Sequence, residues 1–107
     1  MSPKEVMSRK ERRPKLQIYF DILRAISDEI ADEGIARPTR VQFRSNMSYD
    51  KLSRYLLELE NKKLINKNPS ISLSDKGQNF MRDYDKINDF IEKLGLDYLT
   101  DSEDEVN

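Results

Sequence analysis

The 107 residues include no cysteine and no histidine. Without thiols there is neither a disulfide nor a thiolate nucleophile, which suits a reducing intracellular compartment, and a cytoplasmic, nucleoid-associated location is the expectation. Without His and Cys, zinc lacks its usual structural ligands and the ordinary neutral-pH general base is missing. No metal, cofactor or small-molecule ligand is expected. Glycine numbers only three, and no glycine-rich phosphate loop is present. The carboxylates are plentiful but fall on the solvated faces of expected helices, so no catalytic cluster is expected and the chain does not read as an enzyme. Apolar runs extend only a few residues, far short of the roughly 20 needed to span a bilayer. The charged N-terminus has no apolar core of the kind found in signal peptides.

What is abundant is charge. Charged and hydrophobic residues each make up 36% of the chain, a balance that suits one helix-rich domain with a modest core. Up to Lys67 there are 15 Lys/Arg against 10 Asp/Glu; beyond it there are 4 against 10. A basic first part beside an acidic second part points to a polyanion meeting only the first, although scatter in a charge-rich chain would give the same totals.

Residues 1–13 are polar and read as a basic arm, with Lys4, Arg9, Lys10, Arg12 and Arg13, followed by Lys15. The arm could add electrostatic affinity or serve only as a solubilising tail. Pro14 suits the first turn of a helix, and Leu16, Tyr19, Phe20, Leu23, Ile26 and Ile30 recur at helical spacing until Gly34 stops it. Ile35 and Ala36 form a short link. Thr39, with Gln42 three residues later, predicts a capping box for a short helix holding Val41 and Phe43 and ending near Asn46. Ser48 predicts a second N-cap, with Asp50 in the first turn, for a helix whose inward stripe is Leu52, Tyr55, Leu56 and Leu59. Leu64–Lys67 and Ile71–Leu73, separated by Asn68-Pro69-Ser70, predict a hairpin. Ser74 caps a last helix, where Phe80, Tyr84, Ile87, Ile91, Leu94 and Tyr98 make a heptad seam.

This element order is that of a winged helix-turn-helix: mainly α (α+β), with a three-helix core, a short two-stranded wing and a long C-terminal helix. The expected divisions are a flexible basic arm over 1–13, a DNA-binding domain over 14–78, a dimerisation helix over 79–99 and an acidic, disordered tail over 100–107. With the leucine stripe inward, the helix over 48–63 presents Ser48, Tyr49, Lys51, Ser53 and Arg54 outward, a set able to contact base edges and phosphates in a major groove. Arg37, Arg40 and Arg44 flank the preceding helix, where phosphate contacts commonly lie, and Lys62, Lys63, Lys67 and Asn68 stand before and on the wing. A plain solvated face is the competing reading for each of them.

Thr39-Arg40-Val41, Ser48-Tyr49-Asp50-Lys51-Leu52, Tyr55-Leu56, Leu59, Leu64-Ile65 and Ile71-Ser72-Leu73-Ser74-Asp75-Lys76-Gly77 resemble a family of small archaeal winged-helix proteins, as does Leu16 to Leu23. Members are DNA-binding transcriptional regulators or chromatin-like proteins. Several dimerise through a long C-terminal helix in an antiparallel coiled coil, which the resemblance implies for Phe80 to Tyr98. Lys63 departs from the pattern by standing where glycine is common, and the wing is shorter than in many relatives. Double-stranded DNA and a second copy of the chain are therefore the expected partners. A winged-helix module that binds proteins of the transcription machinery, without reading DNA, is the alternative, and the sequence pI near 5.5, low for a DNA-binding protein, keeps it open.

Overall fold

The computed structural model describes residues 11–95. Tyr98, the tail expected over 100–107 and residues 1–10 of the arm lie outside them. The described residues form helix α1 (Lys15–Glu33), α2 (Pro38–Ser45), α3 (Tyr49–Asn61), strands β1 (Ile65–Asn66) and β2 (Ser72–Leu73), and α4 (Asp75–Lys93).

Helix α1 is the centre of the molecule, touching α2, β2 and α4. Its apolar spacing puts Ile18, Tyr19, Ile22, Leu23, Ala25 and Ile26 into one core with Val41, Leu52, Leu56, Leu59, Leu64, Ile65 and Ile71. Leu16, expected in that stripe, is 55% exposed because it precedes the level at which α3 and α4 close over α1. Gly34 ends α1 in the left-handed region (φ +80°), its N–H donating to the Ile30 carbonyl.

Helix α2 starts two residues earlier than the Thr39 capping box predicts. Pro38 takes the first helical position, where its fixed φ fits, so Arg37 becomes the N-cap and Thr39 lies too far inside for its hydroxyl to cap. Asn46 then turns left-handed (φ +58°), and the Asn46 and Met47 N–H groups donate back to Phe43 and Gln42. This closure makes the tight turn into α3. Of the helix's two apolar residues, Val41 is buried and Phe43 is 77% exposed.

At the start of α3, Ser48 Oγ accepts from the Lys51 N–H at 3.2 Å, as its cap role requires. The helix closes through Lys63 N–H to Glu60 and Leu64 N–H to Leu59, with Lys63 at φ +65°. That position favours glycine, and a lysine there bears a backbone cost. The hairpin is antiparallel, with Ile65 opposite Leu73 and Asn66 opposite Ser72. Its turn includes a cis Asn68–Pro69 bond.

Ser74 caps α4, accepting from the Gly77 N–H, while its own hydroxyl donates to the Lys63 carbonyl. Gly77 admits nothing larger: a Cβ there would lie 2.1 Å from the Leu64 carbonyl oxygen. The wing and the start of α4 are thereby locked to the end of α3.

Candidate nucleic-acid interface

The helix-turn-helix carries many cations, and the structure divides them into two kinds. On the side facing α1 they are bound by carboxylates. Arg44 reaches from α2 to Glu29, Asp32 and Asp28 on α1 (Nη2 to Asp32 Oδ2, 2.7 Å). Glu29 is fully buried; its Oε2 accepts from Arg44 and lies 3.5 Å from Arg40 Nε, while Oε1 has no partner among the described residues. The assignment of Arg44 to phosphate contact is thus corrected. Its guanidinium is engaged in holding α2 against α1, because leaving Glu29 buried and unpaired would be costly.

Arg13 belongs to the same side. It donates to Asp21 Oδ2 (3.0 Å), to both Glu11 oxygens and to the carbonyls of Ser45 (2.7 Å) and Asn46 (3.1 Å). Those carbonyls are acceptors that the end of α2 leaves unpaired. Arg13 therefore clamps the turn between α2 and α3, and the expected arm is fixed at this end. The Glu11 carboxyl is held below its ordinary value, chiefly by the hydrogen bond from Arg13. Lys15, also counted with the arm's cations, pairs with Glu58 of α3 at 3.0 Å. Glu58 additionally accepts from the Tyr19 hydroxyl, and its pKa is lowered first by that bond and then by the one from Lys15. Burial, followed by the bond to Glu58, raises the Tyr19 phenol.

The outward face of α3 is different. Tyr49, Ser53 and Arg54 are exposed, and Arg54 has no hydrogen bond or ion pair among the described residues. Lys51 is half-buried, its Nζ 4.0 Å from Glu11 Oε1, a loose pairing that DNA could displace. Ser48 spends its oxygen on the cap and stands at the same end. Arg37 is exposed and unpaired among the described residues, and Arg40 rests its guanidinium 6.0 Å from the Phe43 ring. On the wing, Lys67 lies 3.9 Å from Glu60 and Asn68 is exposed. Leu57 follows Ser53 and Arg54 on the outward face and is 55% exposed, an apolar group that the inward leucine stripe gave no reason to single out.

Two cations expected at the interface stand apart. Lys62 and Lys63 come at the far end of α3 and border a groove of about 620 Å³ with Leu16, Tyr19, Lys76 and Phe80. Lys63 also borders the wing, beside Asn66 to Asn68.

Along α4 the expected seam splits. Phe80 packs edge-on to Tyr19, with centroids 6.4 Å apart, and Tyr84 packs against Phe20 at 5.1 Å while its hydroxyl bonds Gln17. These two half-buried residues spend their ring contacts on the protomer's own core, so the expected seam is freely exposed only further along α4. Ile87, Phe90 and Leu94 are 55, 63 and 54% exposed, and Ile91 is half-buried. Phe90 joins the stripe in the structure; it falls outside the strict heptad and was not expected.

A family model described as winged helix-turn-helix matches residues 12–92. With the helix order and the two-stranded wing, this match shows that the chain belongs to the winged helix-turn-helix family. No curated protein matches the chain. No helix among the described residues is long and apolar enough to cross a membrane.

Proposed function

We infer that the protein binds duplex DNA as a homodimeric transcriptional regulator, of the kind implied by the resemblance to small archaeal winged-helix proteins, and acts by binding rather than by catalysis. The observation that carries this reading is the outward face of α3, where Arg54 has no partner among the described residues while arginines on the opposite side are bound by carboxylates. A guanidinium left free on a rigid helix, beside Tyr49, Lys51 and Ser53, suits phosphate and base-edge contacts in a major groove. Arg37 and Arg40 would meet the backbone on one side of α3, and Lys67 and Asn68 on the other.

The dimer is supported by Ile87, Phe90, Ile91 and Leu94, which recur at i, i+3, i+4 and i+7 on α4, with three of them more than half exposed. Pairing of two such stripes would present two copies of α3 to two half-sites. The excess of acid beyond Lys67, 10 Asp/Glu against 4 Lys/Arg, supports a second reading, a protein-binding module, because a basic partner would find its charge there.

Selection from a random duplex pool tests the function. Enrichment of a defined motif is the expected result for a regulator. Retention without a motif would mean chromatin-type binding, and no retention even at low salt would favour the protein-binding module.

A further inference from the structure

The groove at the far end of α3 has a chemistry unlike the rest of the surface. Its apolar part is Leu16, Tyr19 and Phe80, with Leu16 more than half exposed, and its rim carries Lys62, Lys63 and Lys76. Lys63 occupies a left-handed position that glycine would fill without cost, so an ammonium is held at this rim against the backbone preference. Lys76 Nζ donates to the Lys62 carbonyl at 2.9 Å, which fixes a second ammonium there. The matching occupant would be a segment carrying both apolar and acidic side chains.

Such a segment lies in the chain itself. The 12 residues after Gly95 include Leu96, Tyr98 and Leu99, then Asp101, Glu103, Asp104 and Glu105, with Asp97 among the first group and no Lys or Arg. The protomer's own copy is badly placed to fill the groove. From Gly95 back to the level of Phe80 and Lys76 is about 22–28 Å along α4 at about 1.5 Å per residue. Leu99, four residues beyond Gly95, reaches at most about 14 Å.

A second copy paired antiparallel has the right reach. If Ile87 of one α4 meets Leu94 of the other, Phe80 and Lys76 of the first lie about 10 and 17 Å beyond that contact at about 1.5 Å per residue, within reach of the residues that follow Gly95. Opposite charges favour that orientation: an antiparallel pair sets the acidic segment against the lysine rim, whereas a parallel pair sets two acidic segments together. Antiparallel helix dipoles act in the same sense. The stripe from Ile87 to Leu94 is also only about 10 Å long, too short by itself for the roughly 1,200–2,000 Å² that a stable interface buries.

We propose that, in the dimer, residues 97–105 of each protomer dock in trans into the groove formed by Leu16, Tyr19 and Phe80 under Lys62, Lys63 and Lys76 of the other. The inference rests on the dimer reading of α4. It withdraws Lys62 and Lys63 from the DNA surface and leaves the reading end of α3 open.

The absence of native cysteine makes a trapping experiment clean. Full-length chains bearing Lys76→Cys and Asp101→Cys singly are mixed, oxidised mildly and run without reductant, beside sedimentation of the unmodified protein. A Lys76→Cys and Ser53→Cys mixture gives the background. The expected result is a disulfide-linked heterodimer well above that background, suppressed by high salt, with Lys76→Glu weakening the unmodified dimer several-fold. Background-level trapping in a protein that sediments as a dimer overturns the docking and leaves the dimer standing. A monomer in sedimentation overturns both. An intramolecular link in the Lys76→Cys/Asp101→Cys double variant, without trapping between chains, would place the segment in cis and also overturn the proposal.

Discussion

Arg44 and Arg54 carry the same side chain on successive helices of one motif, and their surroundings could hardly differ more. Arg44 lies among Glu29, Asp32 and Asp28, one of them fully buried. Arg54 projects from the outward face of α3 with no partner among the described residues. Arg13 stands with Arg44, closing the turn, and Arg37 stands with Arg54. The contrast teaches that a count of cations does not locate a nucleic-acid surface. The carboxylates opposite each cation do so: α1 supplies Asp21, Glu29 and Asp32 to one side of the motif, whereas the outward face of α3 offers its arginine none.

Substitutions on the two sides should therefore separate stability from DNA binding. The largest effect is expected from Arg44→Ala, which leaves the buried Glu29 carboxylate with only the longer 3.5 Å pairing to Arg40; thermal unfolding should show the deepest fall in Tm of the arginine series. Next comes Arg13→Ala. It removes donors from two helix-end carbonyls and from Asp21, at a cost of about 1–3 kcal/mol. Each kcal/mol corresponds to roughly 4–8 °C in a domain of this size. If either variant retained the parental Tm while losing DNA affinity, the division between the two sides would be wrong.

Arg54→Ala should do the opposite. Tm is expected to stay within about a degree, because exposed substitutions away from special features rarely exceed about 0.5 kcal/mol. Affinity for duplex DNA should fall about tenfold or more, as the loss of one good contact implies. Acid offers a gentler probe. Glu11 and Glu58 are both held below the ordinary carboxylate value of 4.5 by their donors, so their contribution is complete above that pH and is lost as pH falls through the lowered folded values. Tm should decline between about pH 5 and pH 3, and Glu58→Gln should flatten part of that decline. The smallest effect is Lys63→Gly, which relieves the left-handed strain and should raise stability by up to about 1 kcal/mol, the entropy of glycine offsetting part of the gain.

Much of this architecture was legible along the chain because it is local. The Ser48 and Ser74 caps, the Gly34 stop and the leucine stripe of α3 are each set by residues within one or two turns. The Thr39 cap failed for an equally local reason, since Pro38 takes the first helical position. The site was harder to read. Whether Arg44 is free depends on Glu29 and Asp32, which precede it by 15 and 12 residues on another helix. The clamp made by Arg13 reaches Ser45 and Asn46 across the whole of α1. In the same way, Phe80 and Tyr84 continue the apolar period of α4, and only the positions of Tyr19 and Phe20 show that the protomer consumes them itself. Periodicity says which side of a helix is apolar; it does not say which neighbour will cover it.

The most direct test of the account is a titration of labelled duplex DNA with the parental protein and Arg54→Ala over a range of salt concentrations. The parental protein is expected to bind at about 50 mM salt and to weaken steeply as salt rises. Arg54→Ala should bind about tenfold less well, with a salt slope smaller by about one, at an unchanged Tm. Superimposable isotherms for the two proteins, or no binding by the parental protein to any duplex at low salt, would contradict the assignment of the outward face of α3 to DNA.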